Sequence, residues 1–261
     1  MWRPPTLLLS LCLALLAHQV PAATVTIRLA NGEWPPYMSA KLPHYGAVSR
    51  IVSEAFASEG IQVRYEFYPW KRGLELARNG GIDGTLAWVR TDDRERDFWL
   101  SDPLFESNAV LAYRKEKPVD WQKADDLGRY LIGATIGYAY GPLFSRFEQR
   151  FPRNVERSPS DEVNLSKLMA GRIDAFVTER EVAYYLATQH YGPGVLLRFA
   201  THPKTLDSNK MYLLLSREVP QGKAFQAAFN RGLARLMAAG RVEQYLHEAR
   251  QMVQTPNIPP S

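Results

Sequence analysis

The sequence predicts an α/β fold in two lobes, on three observations. Segments of strand period and helix period alternate along the chain, which favours mainly parallel sheets flanked by helices. The pattern G-x-I-D-small occurs twice, at Gly80 to Gly84 and at Gly171 to Ala175, each time between a helix and a strand. A length of 261 residues accommodates two modest domains, each with its own core.

Val25 to Leu29 alternates as a strand and runs into Trp34-Pro35-Pro36-Tyr37, where two prolines forbid helix or central strand. Val48, Ile51, Val52, Ala55 and Phe56 recur at helical spacing until Gly60, and Ile61, Val63, Tyr65 and Phe67 then recur at two. A helix over Trp70 to Asn79 leads to a strand over Ile82 to Trp88, and a further strand covers Ala109 to Tyr113. The pattern then restarts. Leu131 to Thr135 reads as a strand, Pro142 opens a helix, Val163, Leu168 and Met169 mark another, and Ile173 to Val177 is a buried strand. Met211 to Leu215 is an apolar strand, and Phe225, Phe229, Leu233 and Met237 lie on one face of a helix that Gly240 ends. A short helix follows to about Arg250, with a flexible tail over 251–261.

The repeated G-x-I-D turn has a physical reading: the first glycine takes the left-handed helix-stop conformation and the isoleucine enters the core. The small residue lets helix and sheet approach. It suggests that both lobes reuse one supersecondary unit, against the alternative of two unrelated helix-to-strand turns. No low-complexity linker separates the lobes, so the crossings fall near Tyr113 to Pro118 and Leu206 to Lys210. This gives 23–113 plus 210–250 as one lobe and 118–206 as the other.

Lys plus Arg number 32 against 27 for Asp plus Glu, a net charge of +5. The distribution argues against a nucleic-acid partner, because the densest basic stretch, Arg90 to Arg96, is interleaved with Asp92, Asp93 and Glu95. Residues 1–22 have the parts of a secretory signal: Arg3, the apolar run Leu7 to Ala17, and Val20-Pro21-Ala22 at the cleavage site. Cleavage after Ala22 removes Cys12, the chain's single cysteine, so disulfides and thiol chemistry are not expected. The histidines beyond the signal segment, His44, His190, His202 and His247, show neither a nucleophile context nor metal-ligand spacing; no metal and no cofactor are expected.

Trp34-Pro35-Pro36-Tyr37, the G-x-I-D-G turn, Thr91-Asp92-Asp93-Arg94 followed by Phe98 to Pro103, and Gly171-Arg172-Ile173-Asp174-Ala175 together resemble the bacterial extracellular solute-binding proteins of family 3. The resemblance covers most of the mature chain. It implies the type II periplasmic binding fold, with two lobes hinged over a small amino-acid-like or carboxylate ligand. It also implies a periplasmic location, an inner-membrane ABC permease as partner, and a monomer. Within the same fold it leaves open a cyclohexadienyl dehydratase-like enzyme and a sensory ligand-binding protein.

By that resemblance Arg94 is the carboxylate-binding arginine, a planar fork that fits a carboxylate bidentately. A surface pairing with Asp93 or Asp97 is the alternative. Glu179 falls where the family has an ammonium-binding aspartate, and reads equally well as an acid favoured at a helix start. Trp34 and Trp70 match the positions that sandwich the ligand, with core packing as the alternative. Trp88 and Arg90 stand where the family has small hydroxyl residues, which implies a bulkier, more cationic pocket. Tyr37 belongs to the first-strand loop, and Thr135, Gly137 and Tyr138 lie at a strand end where backbone amides are expected to take an anion.

Overall fold

The computed structural model describes residues 25–254. The expected signal segment and the end of the expected tail lie outside the described residues. In chain order the elements are β1 (Val25–Asn31), α1 (Ala47–Ala57), β2 (Ile61–Phe67), α2 (Trp70–Arg78), β3 (Gly84–Val89), α3 (Asp92–Asp97), β4 (Phe98–Leu100) and β5 (Phe105–Arg114). They continue with β6 (Ile132–Thr135), α4 (Pro142–Arg150), β7 (Val155–Ser158), α5 (Asp161–Met169), β8 (Ala175–Glu179), α6 (Arg180–Tyr191) and β9 (Phe199–Thr201). The last three are β10 (Asp207–Ser216), α7 (Gly222–Ala238) and α8 (Arg241–Gln254).

The strands follow the order β2-β1-β3-β10-β5-β8-β6-β7, with β4 on β10 and β9 on β5. Two parallel triplets, β2-β1-β3 and β7-β6-β8, are thereby joined through the antiparallel pair β10 and β5. The repeat seen in the sequence is real at atomic level. The Asp83 carboxylate accepts from the Arg28 amide at 2.6 Å while the Asp83 amide donates to the Arg28 carbonyl at 3.0 Å. Asp174 does the same with Leu131, at 2.9 and 2.8 Å. Gly80 and Gly171, at φ of 70° and 73°, stop the preceding helices.

That use of aspartate explains two shifted boundaries. β3 begins at Gly84 and β8 at Ala175, each two residues after the isoleucine expected to open it, because the Ile-Asp pair belongs to the turn. β5 is longer than the expected Ala109 to Tyr113: residues 105–109 pair with β10 and residues 109–113 with β8. The exchange of partner falls at Ala109, upstream of the crossing expected at Tyr113 to Pro118. α8 runs to Gln254, so residues 251–254 of the expected tail are helical.

α1 and α7 cover one face of the first triplet, with Phe56 against Phe229 at 5.3 Å. The second triplet has its own core around Trp121, Phe144 and Phe147. Both connecting strands, β5 and β10, pass between these two cores and bring residues to the space between the triplets.

Candidate functional site

A cavity lies where the carboxyl ends of β3 and β6 face each other across β5 and β10. Open α/β sheets place ligands at strand carboxyl ends. Arg94 is the central charged group. Thr91 caps α3, accepting from the Arg94 amide at 3.4 Å, and the helix turns the guanidinium inward. Nη1 donates to the Val89 carbonyl at 2.6 Å and Nη2 to the Gly137 carbonyl at 2.9 Å. The guanidinium carbon stands 4.5 Å from the Trp88 ring centroid.

Arg94 is 6% exposed, and no carboxylate pairs with it among the described residues. The sequence alternative fails here: Asp93 pairs with Arg96, and Asp97 accepts from Arg78 at 2.7 Å. Burial lowers the Arg94 pKa to about 10, with repulsion from Arg78 adding to it and Asp93 opposing. The group therefore stays charged at neutral pH, a buried cation satisfied only by carbonyls.

Glu179 ends β8 and lines the same cavity. Its Oε1 accepts from Ser107 Oγ at 2.6 Å and its Oε2 from the Trp34 indole Nε1 at 3.0 Å. Burial raises its pKa; the Ser107 and Trp34 donors pull it back, and Glu181 raises it further. Glu179 is also the N-cap residue of α6, at the helix start the sequence offered as the alternative, although its side chain makes no capping bond.

The indoles form the walls. Trp34 is both core and wall: it packs on Tyr37 and Phe105, with centroids 5.0 and 6.1 Å away, and lines the cavity. Trp70 opens α2 and stands edge-on to both Trp88 and Tyr138, each at 5.4 Å. Its ring lies over Gly32, where an added Cβ would come within 2.6 Å of it. Trp88 is fixed by Nε1 donating to Thr85 Oγ1 at 2.9 Å. Ala87, Trp88 and Val89 all line the cavity, which a regular strand with alternating faces does not allow. A register shift against β10 and a φ of 59° at Ala87 make it possible.

Five expected site residues sit elsewhere or act differently. Arg90 is exposed, pairs with Glu95 and does not line the cavity. Tyr37 faces a second cavity behind the connecting strands, where its hydroxyl donates to Glu181 at 3.2 Å. Thr135 is fully buried; its hydroxyl donates to Asp161 at 2.6 Å and its amide to the Tyr140 hydroxyl oxygen at 2.7 Å. Of the three residues expected to offer amides to an anion, Thr135 and Tyr138 have theirs taken, by the Tyr140 hydroxyl and the Thr135 carbonyl. Gly137 contributes its carbonyl to Arg94, and Tyr138 contributes its ring.

Sequence reasoning missed Ser107, Tyr140, Asn209 and Met211, which also line the cavity. Asn209 Nδ2 donates to the Tyr140 carbonyl at 2.8 Å, tying β10 to the loop after β6. No local motif marks these residues, because strand pairing across about a hundred positions brings them together. Among the described residues no group of three or more His, Cys, Asp or Glu side chains could hold a metal. No helix there is long and apolar enough to cross a membrane.

No curated protein sequence matches the chain. Its fold matches a histidine kinase sensor domain similar to periplasmic binding proteins, with TM-score 0.73 at 16% identity over 86% of this chain and 95% of the other. An amino acid ABC transporter substrate-binding protein from Streptococcus pneumoniae, bound to L-arginine, matches with TM-score 0.71 at 16% identity, over 87% of this chain and 94% of that one. An ancestral amino acid-binding protein, described as a precursor of cyclohexadienyl dehydratase, matches with TM-score 0.69 at 14% identity, over 86% and 95%. Residues 27–248 match the sequence profile of one family. The chain belongs to the bacterial extracellular solute-binding proteins, family 3.

Proposed function

We propose that this protein is a non-catalytic receptor that closes two lobes over a small amino-acid-like or carboxylate ligand and delivers it to an inner-membrane ABC permease. In this reading residues 1–22 direct export to the periplasm and are removed, and the receptor works as a monomer. The observation that carries it is the buried Arg94 guanidinium, charged, lining the cavity and lacking a carboxylate partner among the described residues. Charge-assisted bidentate bonds to a ligand carboxylate would supply that partner. Arg94 and Trp88 come from the first triplet's side and Glu179 and Tyr138 from the second, so one ligand touches both. A thermal-shift screen of the mature protein against amino acids and small carboxylates tests this, with saturable stabilisation expected and absence of any stabilising ligand contradicting it.

One observation favours a second reading, a dehydratase-like enzyme: the raised Glu179 pKa would let that carboxyl act as a general acid. Against it, Glu179 is the only carboxyl among the described residues lining the cavity, and no second titrating base faces it there. Incubation with prephenate or arogenate separates the two, since the receptor reading expects no aromatic product.

A further inference from the structure

We propose that the cavity selects a monocarboxylate bearing a flat apolar group, with or without an α-amino group, over ligands whose side chain carries a charge. The inference deepens the receptor reading and rests on it. Its basis is a charge count. Among the described residues lining the cavity there is one cation, Arg94, and one acid, Glu179. A ligand carboxylate would take the cation. A second carboxylate on the same ligand would be buried with no cation to meet it.

A cationic side chain fares no better. Aromatic walls can hold a cation over a ring face, but the Trp88 face already carries the Arg94 guanidinium at 4.5 Å. A ligand guanidinium placed there would meet a like charge in a dry site. Trp70 packs edge-to-face against both Trp88 and Tyr138, with centroids 5.4 Å away, so the three rings form one continuous apolar wall of the cavity. Met211 and Ala109 add apolar surface. A flat hydrocarbon group would lie against that wall.

The α-amino group is optional for a geometric reason. Both Glu179 oxygens already accept one hydrogen bond each, from Ser107 and Trp34, so the carboxyl is satisfied without a ligand ammonium. A carboxylate has further lone-pair capacity, which an ammonium could use when present.

Calorimetric titration of the refolded, ligand-free secreted protein with 3-phenylpropionate, L-phenylalanine, L-arginine and L-glutamate tests the proposal. At least one of the first two should bind ten-fold or more tightly than both of the last two. Equal or tighter binding of L-arginine or L-glutamate would overturn the selectivity and leave the receptor reading standing. If none of the four binds, the selectivity is overturned, and the broader amino-acid and carboxylate screen decides the receptor reading by itself.

Discussion

Arg94 Nη2 donates to the Gly137 carbonyl at 2.9 Å, so a side chain from α3 holds the turn after β6 across the cavity. The same guanidinium is bonded to Val89 on its own side at 2.6 Å. A ligand carboxylate that takes one of these donors would exchange a neutral acceptor for a charged one, and charge-assisted bonds are roughly twice as strong. The bridge gives the cavity a closed arrangement that the ligand need only reinforce.

Trp34→Phe keeps the ring that packs on Tyr37 and Phe105 but removes the indole donor to Glu179. Stability should fall by ~1 kcal/mol for the lost bond. Trp34→Ala should cost ~3–5 kcal/mol, because a buried indole leaves a cavity. Urea denaturation of the two variants checks the difference.

Glu179→Gln removes the charge but keeps the size. Affinity for an amino acid should drop by ~1.5–3 kcal/mol, while affinity for a carboxylate without an amino group should hold or improve. Parallel titrations with L-phenylalanine and 3-phenylpropionate measure both. Equal losses for the two ligands would show that Glu179 does not meet an ammonium.

Ala87 holds a left-handed backbone, φ 59°, inside β3. Ala87→Gly should be neutral or stabilising by up to ~1 kcal/mol, since relief of strain offsets the added chain freedom. Ala87→Val, with a β-branched side chain that resists this φ, should destabilise by ~2 kcal/mol and shift Trp88. Thermal unfolding and tryptophan fluorescence distinguish the outcomes.

Asp161 is buried against Thr135, and desolvation lifts its pKa from 3.8 to about 8; the Thr135 hydroxyl opposes this and Glu179 and Glu162 reinforce it. The buried phenols Tyr138 and Tyr140 stay protonated in this range, both pushed well above the usual value by burial. Between about pH 4 and 8 the native state holds a proton that the unfolded chain has released. Stability therefore falls as pH rises through this window and levels off above it. Asp161→Asn should flatten this slope and melt several degrees above the parent at pH 8, ~1 kcal/mol corresponding to about 2–4 °C at this size. Glu179 contributes a slope of the same sign, which Glu179→Gln removes.

Local features were the legible ones. The G-x-I-D turn announced both triplets because its glycine, isoleucine and aspartate act within a few residues of one another. Arg94 and Arg90 were harder to separate, since both sit in one charged run; the Thr91 cap aims Arg94 inward, while Arg90 pairs outward with Glu95. Thr135 was placed correctly at a strand end, but its hydroxyl and amide serve Asp161 and Tyr140. Ser107 and Asn209 carried no signal at all, because only the pairing of β5 with β10 sets them opposite each other.

The central claim is that Arg94 takes the carboxylate of a small ligand. Calorimetric titration of the wild type and Arg94→Ala with the most stabilising carboxylate from the screen tests it most directly. Two charge-assisted bonds at about 1.5–3 kcal/mol each predict an affinity loss of at least 100-fold. The variant should still melt cooperatively, which shows that the fold is intact. A folded Arg94→Ala protein with wild-type affinity would contradict the account.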